Sequence, residues 1–368
     1  MVKFPPNKTS STPTWEPVRL GLLVEPSPAL FHGSPLISPG ALISGKLQLS
    51  ACIDNIILES IVMFLECVVT NRRPVRHHCH CCARRADILQ NWDFLNHPKV
   101  LSINDGVHEL QFSYLIPGHL PATTNGQTGE INYALRARAR LHNGKDVEVL
   151  HTFPVRRVLQ NGSRKDSIRF FAPSNAILRV SLPSLVQSAE TFCIRWRLDM
   201  PLSQGETTRS RWHLRKITWH IAEYESKLLP CVRHMVSTRS YAARNRSRRD
   251  IGSGEIHEFP DLRIRDDGFE GEIEASCNSE LRPQCDVDST AGLEITHLLF
   301  IDIEVAEERA LNKRLFLSGP IRAALNFRVR FDLILSAPSG PSVTQEHQVP
   351  PPYMDVGPAP VHYDQACR

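Results

Sequence analysis

Strict alternation of polar and apolar residues constrains this chain more than any other feature of its sequence. The clearest run, Leu135–Leu141, reads L-R-A-R-A-R-L and places three arginines on one face and small apolar residues on the other. Similar alternation recurs at 46–50, 193–198 and 325–331, with turn residues between the runs. Many short strands spread over most of the 368 residues predict an all-β protein with two tandem immunoglobulin-like β-sandwiches.

The boundary between the two sandwiches is predicted at 160–165, a polar stretch that contains Gly162. The sandwiches are therefore expected to span 18–160 and 166–337. Pro, Ser, Gly and Gln dominate 338–368, so this segment is predicted to be a disordered tail, and residues 1–17 a disordered N-terminus.

Two segments depart from the alternating pattern. Ile88, Leu89, Trp92 and Leu95 follow helical spacing, which predicts a short helix within a loop of the first sandwich. Residues 232–254 combine several arginines with Ser, Asn and Gly, which predicts a flexible basic insertion between strands.

Composition excludes several classes of protein. A net charge of +4 is too small to indicate nucleic-acid binding by itself. No apolar run reaches the ~18–20 residues of a membrane-spanning helix. The first 17 residues lack the apolar core of a secretory signal, so we expect a cytosolic protein whose ten cysteines are mostly free thiols. Catalytic motifs such as G-x-S-x-G, a P-loop or H-E-x-x-H are missing, so no enzymatic activity is predicted.

The tail contains Pro350-Pro351-Pro352-Tyr353, a match to the P-P-x-Y motif. Consecutive prolines favour a polyproline II helix before any partner binds, so binding costs little conformational entropy. The aromatic groove of a WW domain packs against such prolines, here Pro350 and Pro351, while a second pocket takes the ring of Tyr353. The alternative interpretation is a proline-rich linker that contains a tyrosine by chance.

Two stretches carry a family resemblance. Residues 106–124, G-V-H-E-L-Q-F-S-Y-L-I-P-G-H-L-P-A-T-T, and 131–135, I-N-Y-A-L, resemble the core of the fungal arrestin-related trafficking adaptors, the α-arrestins. The segments 39–45 and 292–306 resemble strand pairs of that family, and the tail resembles the paired-PY ending of its low-dye-binding subgroup.

This resemblance implies an arrestin fold and an adaptor without catalysis. The adaptor would recruit a HECT-type ubiquitin ligase through its WW domains to the cytosolic segments of plasma-membrane transporters, which are then ubiquitylated and internalised. The expected location is the cytoplasm, with recruitment to the cytosolic face of the plasma membrane or of endosomal and Golgi membranes. The alternative is an arrestin-type scaffold in signalling or vesicle sorting that acts independently of the ligase.

The second PY motif of the subgroup would fall at Pro360-Val361-His362-Tyr363. Because Val361 replaces the second proline, Pro360 and Tyr363 are expected to form only a weak second site. The resulting loss of bivalent binding can cost ~10²–10⁴ in apparent affinity.

Two further clusters are candidate sites. Cys79 and Cys82 have the C-x-x-C spacing that can supply two thiolates to Zn²⁺, but a structural zinc site needs four ligands and no second C-x-x-C pair exists. A polar loop with free thiols, and therefore no cofactor, is the favoured interpretation. Arg136, Arg138 and Arg140 share one strand face and must stay hydrated or meet acids. They are the candidate surface for acidic transporter segments or anionic lipids, with a solvated outer face as the alternative.

Overall fold

Strands account for nearly all of the regular structure, which confirms the all-β prediction. The computed structural model describes residues 17–72, 83–160, 162–188, 190–200, 209–228, 244–260, 262–265, 268–288, 292–310 and 323–338. Apart from Pro338, these residues belong to one compact unit, Met1–Ala337.

The first half of the chain forms two sheets that enclose one core. Its strands are β1 (Val18–Glu25), β2 (Ala29–His32), β3 (Ala41–Ala51), β4 (Ile56–Asn71), β5 (Arg84–Asp93), β6 (Lys99–Leu101), β7 (Val107–Ile116), β8 (Thr124–Asn125), β9 (Gly129–Leu141), β10 (Asp146–Phe153) and β11 (Val155–Val158). One sheet has the order β1-β3-β7, and the other has the order β10-β9-β4-β5 with β6 on β4 and β8 on β9. A short parallel pair, β2 and β11, completes this half.

The second half repeats this two-sheet plan. Its strands are β12 (Arg164–Phe171), β13 (Ala176–Pro183), β14 (Val186–Gln187), β15 (Thr191–Asp199), β16 (Arg209–Leu228), β17 (Arg244–Ile256), β18 (Arg263–Arg265), β19 (Gly268–Ser276), β20 (Val287–Asp288), β21 (Leu293–Ala310), β22 (Ala323–Leu333) and β23 (Leu335–Ser336). The sheet β12-β13-β15-β19-β18 faces the sheet β17-β16-β21-β20, in which β22 also pairs with β21. Strands β14 and β23 form a short parallel pair.

Period-two alternation explains which side chains fill each core. In β9, Leu135, Ala137 and Ala139 are buried and the arginines between them face outward. The second core is built in the same way from Ile217, Trp219 and Ile221 of β16, among other strands. Three apolar side chains of the second half, Val287, Leu293 and Ile295, pack in the first core. The two sandwiches are therefore joined by apolar packing as well as by the polar contacts described below.

The helix predicted around 88–95 is wrong, because this segment forms strand β5. Strand β5 pairs with β4, and the register shifts between Leu65 and Glu66, where Gln90 and Ile88 are the successive partners and Leu89 is skipped. A bulge of this kind adds one residue to the alternation. Apolar residues at 88, 89 and 92 consequently imitate helical spacing.

The flexible insertion predicted at 232–254 is also wrong where the structure describes it. Arg244–Ile256 forms β17, which pairs with β16 along its whole length. The two segments expected to form a late strand pair, 292–297 and 301–306, belong to the single long strand β21 (Leu293–Ala310), apart from Gly292 just before it.

No helix within the described ranges is long and apolar enough to cross a membrane.

Candidate functional site

The predicted arginine surface lies on the outer face of β9, directly beside an acidic strand. In the antiparallel register, Arg140 is opposite Asp146 and Arg138 is opposite Glu148. The Nε atom of Arg138 donates to Glu148 Oε1 at 2.8 Å, and the Nε atom of Arg140 donates to Asp146 Oδ1 at 3.0 Å. Arg136 is looser, with Glu66 and Glu148 carboxylate oxygens each 3.7 Å away. We call these three arginines the arginine ladder.

Charged side chains on this face need either hydration or acidic partners, and the structure shows ion pairs at a solvent-accessible surface. The hydrogen bond from Arg140 lowers the pKa of Asp146, and the same bond raises the pKa of Arg140. Exposed pairs of this type are weak and exchange partners readily. An incoming acidic segment would therefore compete with Asp146 and Glu148 for the guanidinium groups.

A buried carboxylate that the sequence analysis did not identify joins the two sandwiches. Glu225 of β16 accepts hydrogen bonds from the backbone N–H groups of Gln127, Thr128 and Gly129 at 2.6, 2.8 and 3.1 Å, and from Thr128 Oγ1 at 2.6 Å. These donors lie in the loop between β8 and β9 of the first sandwich and at Gly129, the first residue of β9. Gly126 is needed there, because a Cβ atom at this position would collide with the Glu225 carboxylate. We call this arrangement the carboxylate clasp.

A second buried cluster lies two residues earlier on the same face of β16. Glu223 accepts hydrogen bonds from Arg249 Nε at 2.6 Å and Arg249 Nη2 at 3.0 Å, and from Gln284 N at 2.9 Å. His297, whose side chain is fully buried, lies 3.5 Å from Glu223 and 2.5 Å from Asp286. We call Glu223, Arg249, His297 and Asp286 the buried ion cluster.

The buried ion cluster reaches both the first sandwich and the last described strand. Gln284, which donates its backbone N–H to Glu223, accepts from Asn125 N with its side-chain Oε1 at 2.8 Å. Asp286 accepts from Leu335 N at 3.0 Å. The Oγ atom of the neighbouring Ser336 accepts from Leu159 N at 3.0 Å, in the segment between the sandwiches.

Neighbouring charges and hydrogen bonds favour the charged forms of both central groups of this cluster. Burial opposes the charged form of Glu223, but His297, Arg249 and Gln284 N–H outweigh it and lower its pKa to about 2. Burial likewise opposes the charged form of His297, but Asp286 and Glu223 raise its pKa above the usual value of 6.5. Glu223 and His297 therefore each favour the charged form of the other.

The sequence does carry a signal for these buried acids. The inward positions of β16 are Ile217, Trp219 and Ile221, and alternation places Glu223 and Glu225 on the same inward face. Buried acids at core positions require partners, so this pattern predicts an internal polar site. It does not name Arg249, Thr128 or His297, which lie far away in sequence.

Several predicted site residues lie outside the described residues. They are Cys79, Cys82, Pro350, Pro351, Tyr353, Pro360 and Tyr363. Arg233 and Arg239 of the predicted basic insertion lie outside them as well, whereas Arg249 of the same segment is the structural partner of Glu223. The structure thus brings together the arginine ladder and its acids, and the zinc and WW-domain sites stay predictions.

Comparison with known proteins identifies the family. The family model described as LDB19, arrestin N-terminal-like, matches residues 61–237, which include the arginine ladder and strand β16. The LDB19 protein of Eremothecium gossypii is 30% identical over 222 residues, or 56% of this chain and 32% of that protein. The LDB19 protein of Saccharomyces cerevisiae is 28% identical over 169 residues, or 39% of this chain and 20% of that protein.

The chain is a fungal arrestin-related protein. This assignment confirms the resemblance seen in the sequence and supports an arrestin-type adaptor. An uncharacterized protein of Schizosaccharomyces pombe is 28% identical over 361 residues, covering 96% of this chain and 91% of that protein.

Among solved structures, squid arrestin overlaps 88% of this arrestin-related chain and 96% of its own, with a TM-score of 0.42 and 9% identity. The sporulation control protein Spo0M of Bacillus subtilis overlaps 50% of this chain and 80% of its own, with a TM-score of 0.30 and 10% identity. The family assignment rests on the family model and the sequence relatives.

Proposed function

We propose that this arrestin-type adaptor recruits a HECT-type ubiquitin ligase, through its WW domains, to plasma-membrane transporters that are then ubiquitylated and internalised. The observation that carries the proposal is Pro350-Pro351-Pro352-Tyr353, which follows an arrestin-related body in the same chain. A WW domain reads this motif through its prolines and tyrosine ring, so the motif supplies a ligase contact. The adaptor then acts as a bridge, with cargo on the folded body.

The cargo side of the proposal uses the arginine ladder. Strand register places the arginines of the ladder beside acidic residues, and these partners lie at the surface. An acidic transporter segment or an anionic headgroup with better geometry than Asp146 and Glu148 can replace them, since charge-assisted bidentate contacts to arginine are strong. The ladder would thus act by exchange of ion-pair partners.

The ligase half is tested by pull-down with isolated WW domains. We expect Tyr353→Ala to abolish capture, and Tyr363→Ala, a matched change in the weak second motif, to leave most of it. Transporter ubiquitylation should fall in parallel with capture. Equal capture of Tyr353→Ala and the unmodified chain would contradict the proposal.

The same experiment separates the proposal from a ligase-independent scaffold. If the chain acts as a scaffold in signalling or vesicle sorting, removal of 338–368 should leave transporter turnover unchanged. If it acts as the bridge, this truncation should slow turnover as much as Tyr353→Ala does. Proximity labelling with the intact chain and with Tyr353→Ala would name the ligase and the cargo together.

A further inference from the structure

Two stretches of the chain contain no charged residue. Residues 26–45 and 110–129 include no Asp, Glu, Lys or Arg, although 22% of the chain is charged. The first stretch contains β2 and the start of β3, and the second contains the end of β7 and all of β8. The fold brings them together, because β3 and β7 are neighbours and Leu42 pairs with Leu115.

These two stretches are fastened to each other by specific contacts. Arg157 of β11 donates to the carbonyl oxygens of Gly33, Gly118 and Leu120 at 2.8, 2.6 and 2.8 Å. Gly118 lies so close to Ser38 that a Cβ atom would collide with its carbonyl oxygen. Arg157 therefore holds both loops together through hydrogen bonds. Its own charge is buried and faces carbonyl groups rather than solvent.

The turn between β2 and β3, in the middle of the first stretch, is also hydrogen-bonded internally. The carbonyl oxygen of Ser34 accepts from Ile37 N at 3.1 Å and from Ser38 N at 2.9 Å. Gly33 N donates to Val158 O at 3.0 Å, which ties the start of the turn to β11. These hydrogen bonds fix the backbone of the turn, so its side chains project from an ordered structure.

Apolar side chains project from this region. Leu36 is 95% exposed and Ile37 is 77% exposed, and Leu42 and Leu115 on the adjacent strands are each more than half exposed. We call these four residues the uncharged tip. Single exposed apolar residues are ordinary, whereas several on neighbouring uncharged segments are typical of an interaction site.

We propose that the uncharged tip inserts into the interfacial region of a lipid bilayer. Leu36 and Ile37 stand out from a turn, whereas a protein partner would need a matching concave pocket. A bilayer accepts such projecting apolar groups, and charged groups near them would be costly to desolvate. The charged residues that flank the stretches are Glu25, Lys46, Glu109 and Glu130, at their ends, while Arg156 of β11 is in register with Leu30 of β2.

Insertion by apolar side chains differs from electrostatic attraction in its response to salt. Binding of the arginine ladder to anionic headgroups would weaken steeply as salt rises, because exposed charges are screened beyond ~3 Å at 1 M ionic strength. Binding of the uncharged tip needs no anionic lipid and should survive high salt. The inference does not depend on the proposed ligase contact, since WW-domain capture and vesicle binding are separate measurements.

The test is co-sedimentation of the full chain with vesicles of phosphatidylcholine alone, at low salt and at about 1 M salt. We expect the unmodified chain to bind under both conditions. The double variant Leu36→Asn, Ile37→Asn should bind at least ~10-fold more weakly, because two large apolar side chains no longer enter the bilayer. The matched control is Ile168→Asn, Phe170→Asn, which changes two exposed apolar residues of β12, 51% and 76% exposed, in the second sandwich.

A second measurement locates the inserted residue. In a Leu36→Trp variant, brominated phosphatidylcholine should quench the added tryptophan, whereas the same lipid should leave a Phe170→Trp variant unquenched. The inference is overturned if the unmodified chain does not bind these vesicles, if binding disappears at high salt, or if both double variants bind alike. Equal thermal unfolding of the variants and the parent excludes misfolding as the cause of any loss.

Discussion

The arginine ladder and the buried ion cluster use the same residue types in opposite settings. Arg138 and Glu148 meet at 2.8 Å on an exposed face, and Arg249 and Glu223 meet at 2.6 Å where Glu223 is almost fully buried. The distances are similar, so distance does not separate them. The two pairs differ in burial. A buried charge that loses its partner is left uncompensated, whereas an exposed charge is rehydrated.

This difference in burial predicts that the first surface exchanges ion-pair partners and that the second keeps them. We expect the ladder to accept an external acid at little cost in stability. The buried ion cluster and the neighbouring carboxylate clasp hold the two sandwiches together through Gln284, Thr128 and Gly129. Four predictions test this difference, in order of decreasing effect on stability.

Arg249→Ala should have the largest effect. It removes the cation that holds Glu223 and leaves a buried carboxylate with His297 and one backbone N–H, which costs about 3–5 kcal/mol of unfolding free energy. The measurement is urea-induced unfolding followed by tryptophan fluorescence. The adjacent Arg248→Ala provides the control, since the Arg248 side chain is half-exposed and its partner Asp250 is exposed. Equal losses of unfolding free energy in the two variants would contradict the expected difference between buried and exposed ion pairs.

Stability should depend on pH through Glu223 and His297 in opposite directions. The folded-state pKa of Glu223, about 2, is below its unfolded value of 4.5, so its contribution of about 3 kcal/mol is present above pH 4.5 and is lost as pH falls toward 2. The folded-state pKa of His297 is above 6.5, so its contribution is present below pH 6.5 and is lost as pH rises through the folded value.

Unfolding free energy should therefore be highest between about pH 4.5 and 6.5 as far as these two groups determine it. Urea unfolding at a series of pH values measures the profile. In a His297→Gln variant the decline on the alkaline side should disappear while the acidic decline remains. An unchanged alkaline decline in that variant would show that His297 is not its source.

Glu225→Gln should have an intermediate effect and a local signature. The amide keeps one acceptor oxygen but turns an NH₂ group toward N–H donors, which leaves buried donors unsatisfied at a cost of about 1–3 kcal/mol. Hydrogen exchange at the amides of Gln127, Thr128 and Gly129 should accelerate. Glu294→Gln, on the neighbouring strand and hydrogen-bonded to Ser226, is the comparison variant. If exchange at the three amides does not change, the carboxylate clasp does not hold the loop.

The smallest effect on stability should come from the arginine ladder. A triple variant, Arg136→Gln, Arg138→Gln, Arg140→Gln, should unfold at nearly the same urea concentration as the parent, with the small difference removed by salt. Its binding to acidic transporter peptides should nevertheless fall strongly. Loss of stability comparable to that of Arg249→Ala would assign the ladder a structural role instead.

Sequence patterns predicted the strands well where alternation is regular. Residues 135–141 form part of β9 with the arginines outward, and 193–198 form part of β15. The pattern misled where a bulge added a residue, as at Leu89, and where an arginine-rich segment, 244–256, became an edge strand. In both cases pairing with a distant strand decided the structure, and a local pattern contains no information about that strand.

The sequence by itself determined the β class, the outward direction of Arg136, Arg138 and Arg140, and the inward direction of Glu223 and Glu225, because the two-residue period of a strand is a local property. Tertiary structure alone decided which groups these side chains meet. Arg249, His297 and Thr128 lie 26, 74 and 97 positions away from their glutamate partners, and only the pairing of strands brings them into contact. The same holds for the uncharged tip, whose two stretches are adjacent because β3 pairs with β7.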